Sequence, residues 1–171
     1  SKRMLPHFHI PLQAGSDKVL GLMKRRYGVD LYKDRIRSVR ARMPDAGIGV
    51  DVIVGFPGEG ETEFQETYDL LESLDISYLH VFTYSERANT LADSMKPVVP
   101  IVTRNERNKI LRNLSYRKMQ YFTNQQVGNT RDVLFETHNK NGMMEGYTDN
   151  YIKITAPFKK EWENNIVPWK I

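Results

Sequence analysis

Cysteine is absent from all 171 residues. That excludes a disulfide framework, a cysteine-built zinc ribbon, a thiol nucleophile and any thiolate-held iron–sulfur cluster on this chain. Long apolar runs are missing too. None approaches the ~18 residues of a membrane span, and no charged-then-apolar leader opens the sequence. No membrane partner is expected, and a cytoplasmic setting is. Lysine and arginine vanish between Met43 and Leu79, a stretch that holds nine Asp/Glu. The basic residues stand on either side. Nine lie between Lys18 and Arg42 against Asp30 and Asp34, and six between Arg104 and Lys118 against Glu106. Such blocks suit either an anionic partner such as nucleic acid or plain solvated helix faces.

What is present reads as one or two domains. His7 to Leu12 suits a short strand, followed by a loop, Gln13 to Asp17, in which Ser16 or Asp17 can cap a helix to about Tyr27. Gly28 stops that helix, and Asp30 caps the next, where Tyr32, Ile36, Val39 and Met43 form an amphipathic stripe ended by Pro44. Gly47 to Gly55 is β-branched and nearly continuously apolar, as in a parallel strand buried on both faces. Phe64, Tyr68, Leu71 and Leu74 mark a further helix, and Tyr78 to Tyr84 a third strand. This is a βαβ plan with three parallel strands. After an irregular connector, Thr103 caps a long helix to about Gln126, with Ile110, Leu114, Arg117 and Tyr121 along one line. A small β module follows: a strand at Arg131 to Glu136, an Asn-Gly turn near Asn141, a strand within Met144 to Thr155, and another at Ile166 to Ile171.

Three strands do not close a barrel, which needs about eight. Edge groups left unpaired therefore predict a completing segment or self-association. The polar residues of interest sit at strand ends, where ligands bind in parallel sheets. These are Gln13 and Ser16, then Val54 and Gly55, whose backbone a ligand can approach closely. Asp51 is a carboxylate inside an apolar strand and needs a donor. Each is individually compatible with a purely structural role. His7 and His9 share a strand face, but two ligands make no zinc site. His80 and His138 lie far away in sequence, so no metal is expected.

Four segments taken together are more specific. His9-Ile10-Pro11-Leu12-Gln13-Ala14-Gly15-Ser16, Met23-Lys24-Arg25-Arg26-Tyr27, Asp51 to Glu59 and Phe82 to Arg87 resemble the later part of radical S-adenosylmethionine methylthiotransferases. Glu145 to Lys153 resembles the TRAM domain that ends these enzymes and binds RNA. The wording is closest to the branch acting on threonylcarbamoyladenosine in tRNA, with the isopentenyladenosine and ribosomal-protein branches as relatives.

The resemblance implies an α/β fold with residues 1–100 as the later part of an incomplete TIM-like barrel. Residues 101–127 would be a connecting helix, and 128–171 a β-barrel-like TRAM module, cut short. Gln13, Ser16, Arg25 and Asp51 would meet polar parts of S-adenosylmethionine, Val54 and Gly55 its adenine, and Phe82 and Tyr84 would wall the pocket. Arg131, Lys140, Tyr147, Tyr151 and Lys153 would meet tRNA. The helix from Arg104 to Lys118 offers a second phosphate-facing surface. The family's cluster-binding cysteines would lie outside this chain, on a missing amino-terminal portion of the same polypeptide. The expected function is methylthiolation of tRNA by the parent, with the fragment inactive alone and poor in S-adenosylmethionine affinity. The rival is a stand-alone RNA-binding protein.

Overall fold

A computed structural model describes residues 4–136 and 141–171. Lys140 and His138 lie outside the described residues. Three parallel strands, β1 (His7–His9), β2 (Gly47–Val54) and β3 (Tyr78–Thr83), form one sheet in that order. Helices α1 (Asp17–Leu22) and α2 (Val29–Arg42) connect β1 to β2, and α3 (Glu61–Ser73) connects β2 to β3. A 26-residue helix, α4 (Ile101–Gln126), follows. At 1.5 Å per residue it runs ~39 Å. It leads into a second, antiparallel sheet of β4 (Thr130–Phe135), β5 (Met143–Thr148), β6 (Lys153–Pro157) and β7 (Ile166–Lys170), ordered β6-β5-β4-β7. The span read as one strand around Tyr151 is thus two strands. The turn between them puts Tyr151 at φ +71°, with Thr148 Oγ1 accepting from Ile152 N.

The main core lies on one face of the parallel sheet. Ile48, Val50, Val52 and Val54 are fully buried against Tyr32, Ile36, Phe64, Leu71, Leu111 and Leu114. The opposite, odd-numbered face is closed at one end and half-open further along. Gly49 is covered by the Tyr78 ring and Gly47 by Asn150, whereas Asp51 and Ile53 are only partly buried. Burial on both faces therefore holds for the first half of β2 only.

The first helix ends at Leu22, five residues before the expected Tyr27. Lys24 adopts φ +59°, its N–H reaches Gly21 O and the N–H of Arg25 reaches Leu20 O. This paired closure is a Schellman turn. Asp17 takes up the capping duty expected of Asp30. Its Oδ1 accepts from Val29 N at 2.8 Å, the first turn of α2.

The stripe on α4 is also different. Ile110 and Tyr121 are exposed, and the buried residues are Arg104, Arg107, Leu111, Leu114, Phe122 and Gln126. A polar face is buried because it completes the edge of β3. Ser115 Oγ accepts from Leu79 N and donates to Leu79 O, and Asn108 donates to Val81 O. On the far edge, Tyr32 and Tyr27 donate their hydroxyls to Ile10 O and Leu12 O. Edge-driven self-association loses these groups as templates.

The antiparallel sheet packs Val133, Phe135, Met144 and Ala156 with Trp162 and Trp169. It docks on the first sheet through Asn150, whose Nδ2 donates to Asp45 O, and through Arg131, paired with Asp45 and Asp149. His7 sits in this joint. It stacks on Tyr151 at 4.3 Å and meets the Tyr78 hydroxyl through Nε2 at 2.8 Å. Burial, aided by His9, lowers the His7 pKa below its ordinary 6.5, so the fold favours the neutral ring. The unfolded chain then binds more protons between the two values, and stability rises with pH across that window. A proton-NMR titration should place the His7 midpoint below 6.5, with the joint loosening as pH falls through it. A midpoint at or above 6.5 would refute this.

Candidate functional site

Two structural devices bring Gln13 and Arg25 together. Gln13 follows β1 at φ +74°, held by its N–H on Asp51 O and its C=O on Ile53 N. A non-glycine residue in that region costs roughly 1–3 kcal/mol, and the flanking ladder bonds hold it there. The Schellman turn swings Arg25 back, and its Nη2 donates to Gln13 Oε1 at 2.8 Å. Beside this pair, at the carboxyl ends of the strands, opens a cleft of about 840 Å³. Arg25, Met23, Ile53, Phe82, Tyr84 and Met95 line it. The Tyr84 hydroxyl is shut from solvent with no hydrogen-bond partner. Burial raises its pKa, so it stays protonated as a donor.

The other expected contacts are placed differently. Ser16 is buried on the helix side, beside Lys18, Asp30 and Glu63, away from this cleft. Val54 points into the core, and its carbonyl already accepts from Tyr84 N. The Gly55 N–H is taken by Glu59 Oε1 at 2.8 Å. Glu59 is in turn paired with Arg107 at 2.7 Å, both nearly solvent-free. This ion pair fixes the turn after β2 from beneath. Asp51 faces two histidines instead of the cleft: His9 Nε2 at 2.8 Å and His80 Nδ1 at 3.4 Å.

A second cleft, about 350 Å³, runs between the two sheets. Tyr147, Tyr151 and Lys153 line it with Tyr78, His80 and Met119. Tyr147 stacks on Tyr151 at 4.8 Å, and Tyr151 is half exposed. Lys153 pairs with Glu145 at 2.7 Å. Arg131 does not join this group. It is buried in the joint with Asp45, Asp149 and Gln126. The basic helix is largely spent in the same way. Arg104 binds Val99 O, Tyr84 O and Glu86, and Lys118 binds Glu72 O and Leu74 O. These charges hold the fold together and are not free for phosphates.

Residues 2–71 match a family profile described as the radical SAM superfamily. A protein of Aquifex aeolicus (strain VF5) named threonylcarbamoyladenosine tRNA methylthiotransferase MtaB is 39% identical over 94% of this chain and 38% of its own length. Its namesake in Bacillus subtilis (strain 168) is 36% identical over 100% of this chain and 39% of its own. Over nearly its whole length the chain is thus similar to methylthiotransferases, and over residues 2–71 to the radical SAM superfamily. A tRNA-2-methylthio-N(6)-dimethylallyladenosine synthase of Bacillus pumilus is 36% identical over 98% of this chain and 34% of its own length. The chain thus spans roughly two fifths of the length of the curated methylthiotransferases it matches. No helix among the described residues is long and apolar enough to cross a membrane.

Sequence reasoning missed His9, His80 and Tyr78 as site neighbours. Parallel pairing brings them together, with His9 opposite Gly49, Tyr78 opposite Gly49 and His80 opposite Asp51.

Proposed function

We propose that this chain forms the later β/α units of an incomplete TIM-like barrel (1–100), a connecting helix (101–127) and a TRAM-like RNA-contacting module (128–171). These would belong to a longer enzyme that methylthiolates threonylcarbamoyladenosine in tRNA. The observation that carries this reading is the cleft at the carboxyl ends of the strands, where Arg25 and Gln13 stand beside apolar walls.

S-adenosylmethionine fits its chemistry. The Arg25 guanidinium suits a carboxylate, Gln13 can hydrogen-bond ribose or the amino-acid part, and Phe82 offers a face for adenine. The unpartnered Tyr84 hydroxyl supplies one buried donor. The cofactor would bring methyl transfer and radical chemistry to this place. An iron–sulfur cluster does not fit any residue of a cysteine-free chain. Its ligands would come from elsewhere in the polypeptide, and the fragment alone should be inactive. Tyr147, Tyr151 and Lys153 are the residues offered to tRNA by stacking and charge. The near-equal identity to a dimethylallyladenosine synthase favours, as a second reading, that neighbouring adenosine modification.

The test is to express the longer gene product containing this chain, reconstitute it anaerobically with iron and sulfide, and analyse treated tRNA nucleosides by mass spectrometry. A methylthio group on threonylcarbamoyladenosine supports the first reading. The same group on dimethylallyladenosine alone supports the second, and neither product overturns both. In that enzyme Arg25→Ala should weaken S-adenosylmethionine binding roughly tenfold or more, since hydrogen bonds to charged groups contribute ~1.5–3 kcal/mol. Equilibrium dialysis showing unchanged affinity would remove Arg25 from the site.

A further inference from the structure

The half-open face of the parallel sheet carries a cluster that the proposed cofactor cleft does not use. His9 on β1, Asp51 on β2 and His80 on β3 project from three neighbouring strands. One ligand atom from each lies within 4.8 Å of the others, the only such grouping found among the described residues. Asp51 Oδ1 is closed to solvent, yet no properly directed hydrogen bond reaches it. Its two nearest donors are His9 Nε2 at 2.8 Å and His80 Nδ1 at 3.4 Å. A buried carboxylate oxygen without a directed donor is costly, and here two nitrogens converge on it without donating to it.

We propose that His9, Asp51 and His80 form a binding site for a divalent transition metal. Bonds of ~2.0–2.2 Å from imidazole nitrogen and carboxylate oxygen put neighbouring ligand atoms of a tetrahedral site roughly 3.3–3.5 Å apart. The His80–Asp51 separation already meets that spacing, and the His9–Asp51 separation needs only a small opening. Two imidazoles and one carboxylate select zinc, iron(II), cobalt or nickel. Magnesium and calcium prefer all-oxygen sets.

The scaffold is rigid. Asp51 and His80 are paired across the ladder, and the His80 ring leans on Tyr78 at 5.2 Å and on His9 at 5.0 Å. The His9 and His80 side chains are 36% and 51% exposed. A metal held there would keep at least one position toward the open face, for water or a substrate oxygen. Asp51 then serves the histidines and leaves the ribose to other groups.

The test is titration of the metal-stripped 171-residue chain with Zn²⁺ alone by calorimetry, and with Co²⁺ alone by visible absorption. One equivalent should bind, with d–d bands of four- or five-coordinate Co²⁺. His80→Ala and Asp51→Asn should each weaken Zn²⁺ binding at least ~100-fold, no less than loss of an outer-sphere partner costs. His7→Ala, two residues from His9 on the same face, should leave it unchanged. Because His80 is half exposed, far-UV circular dichroism should show its variant folded. Zn²⁺ should also shift the ring signals of His9 and His80 in NMR and spare those of His7. No saturable binding, or binding that survives both His80→Ala and Asp51→Asn, would overturn the assignment.

Discussion

Replacing Arg107 by alanine should cost about 3–5 kcal/mol of folding stability, the usual loss when one partner of a buried ion pair is removed. Arg107 donates to both Glu59 O and Glu59 Oε1, reaches Glu61, and lies over the Phe64 ring at 5.0 Å. Burial already raises the Glu59 pKa, against the lowering by Gly55 N–H and Arg107. Without Arg107 the carboxylate keeps its burial and loses its main compensating charge. A carboxyl pKa raised by folding means that the fold prefers the neutral form. The associated stability is lost as pH rises through the folded value. The deficit in Arg107→Ala should therefore grow from pH 5 to pH 8 in urea unfolding. Adding Glu59→Gln should recover part of it, because the amide oxygen can still accept from Gly55 N and no charge stays buried. A deficit below ~1 kcal/mol, or one that shrinks toward pH 8, would contradict this account.

Gly47→Ala should undock the antiparallel sheet. A Cβ at Gly47 would lie 2.2 Å from the carbonyl oxygen of Asn150. Backbone cannot swing aside as a long side chain does, so the turn bearing Asn150 and Tyr151 must retreat. Such overpacking costs ~1–3 kcal/mol, and here the loss falls on the joint. The Asn150–Asp45 bond and the His7–Tyr151 stack should both open. With less burial, the His7 midpoint should climb back toward 6.5, and ring-current shifts from Tyr151 should fade. The Phe135–Trp162–Trp169 cluster is remote from this contact and should remain packed. An unchanged His7 titration in the variant would show that the joint does not depend on this contact.

The strands and helices of the first hundred residues were legible because their signals are local. β2 is β-branched and bounded by glycines, and the stripes of α2 and α3 repeat at helical spacing. The errors fall where a turn without a glycine signal or a long-range contact decides. The end of α1 is set by a turn whose left-handed residue is Lys24, which carries no glycine signal. The inward face of α4 is polar because it serves the edge of β3, and no hydrophobic stripe announces that.

Arg131 looked available because a sequence does not reveal its partners Asp45 and Asp149. Gln13 and Arg25, expected as contacts of one ligand, meet each other, whereas Ser16 shares the Gln13 loop and faces the other way. The histidine–aspartate cluster did leave a trace. His9, Asp51 and His80 each stand four residues ahead of Gln13, Gly55 and Tyr84, which lie at or just past the ends of the three strands expected from the sequence. Parallel pairing then sets His80 opposite Asp51 and His9 opposite Gly49, two residues away on the same face. Their distance apart in the chain concealed it.

The odd-numbered face of β2 also works as a graduated scale. Its first two marks, Gly47 and Gly49, leave room for the second sheet and for a tyrosine ring. The next, Asp51, is ionisable, and the last, Ile53, borders the large cleft. At ~3.3 Å per residue the two extremes are about 20 Å apart. Engineering at Ile53 and its neighbour Phe82 should therefore retune cleft shape while attachment of the second sheet stays as it is. Changes at the glycine end should alter attachment and leave cleft preference alone. One strand thus separates two design problems along its length.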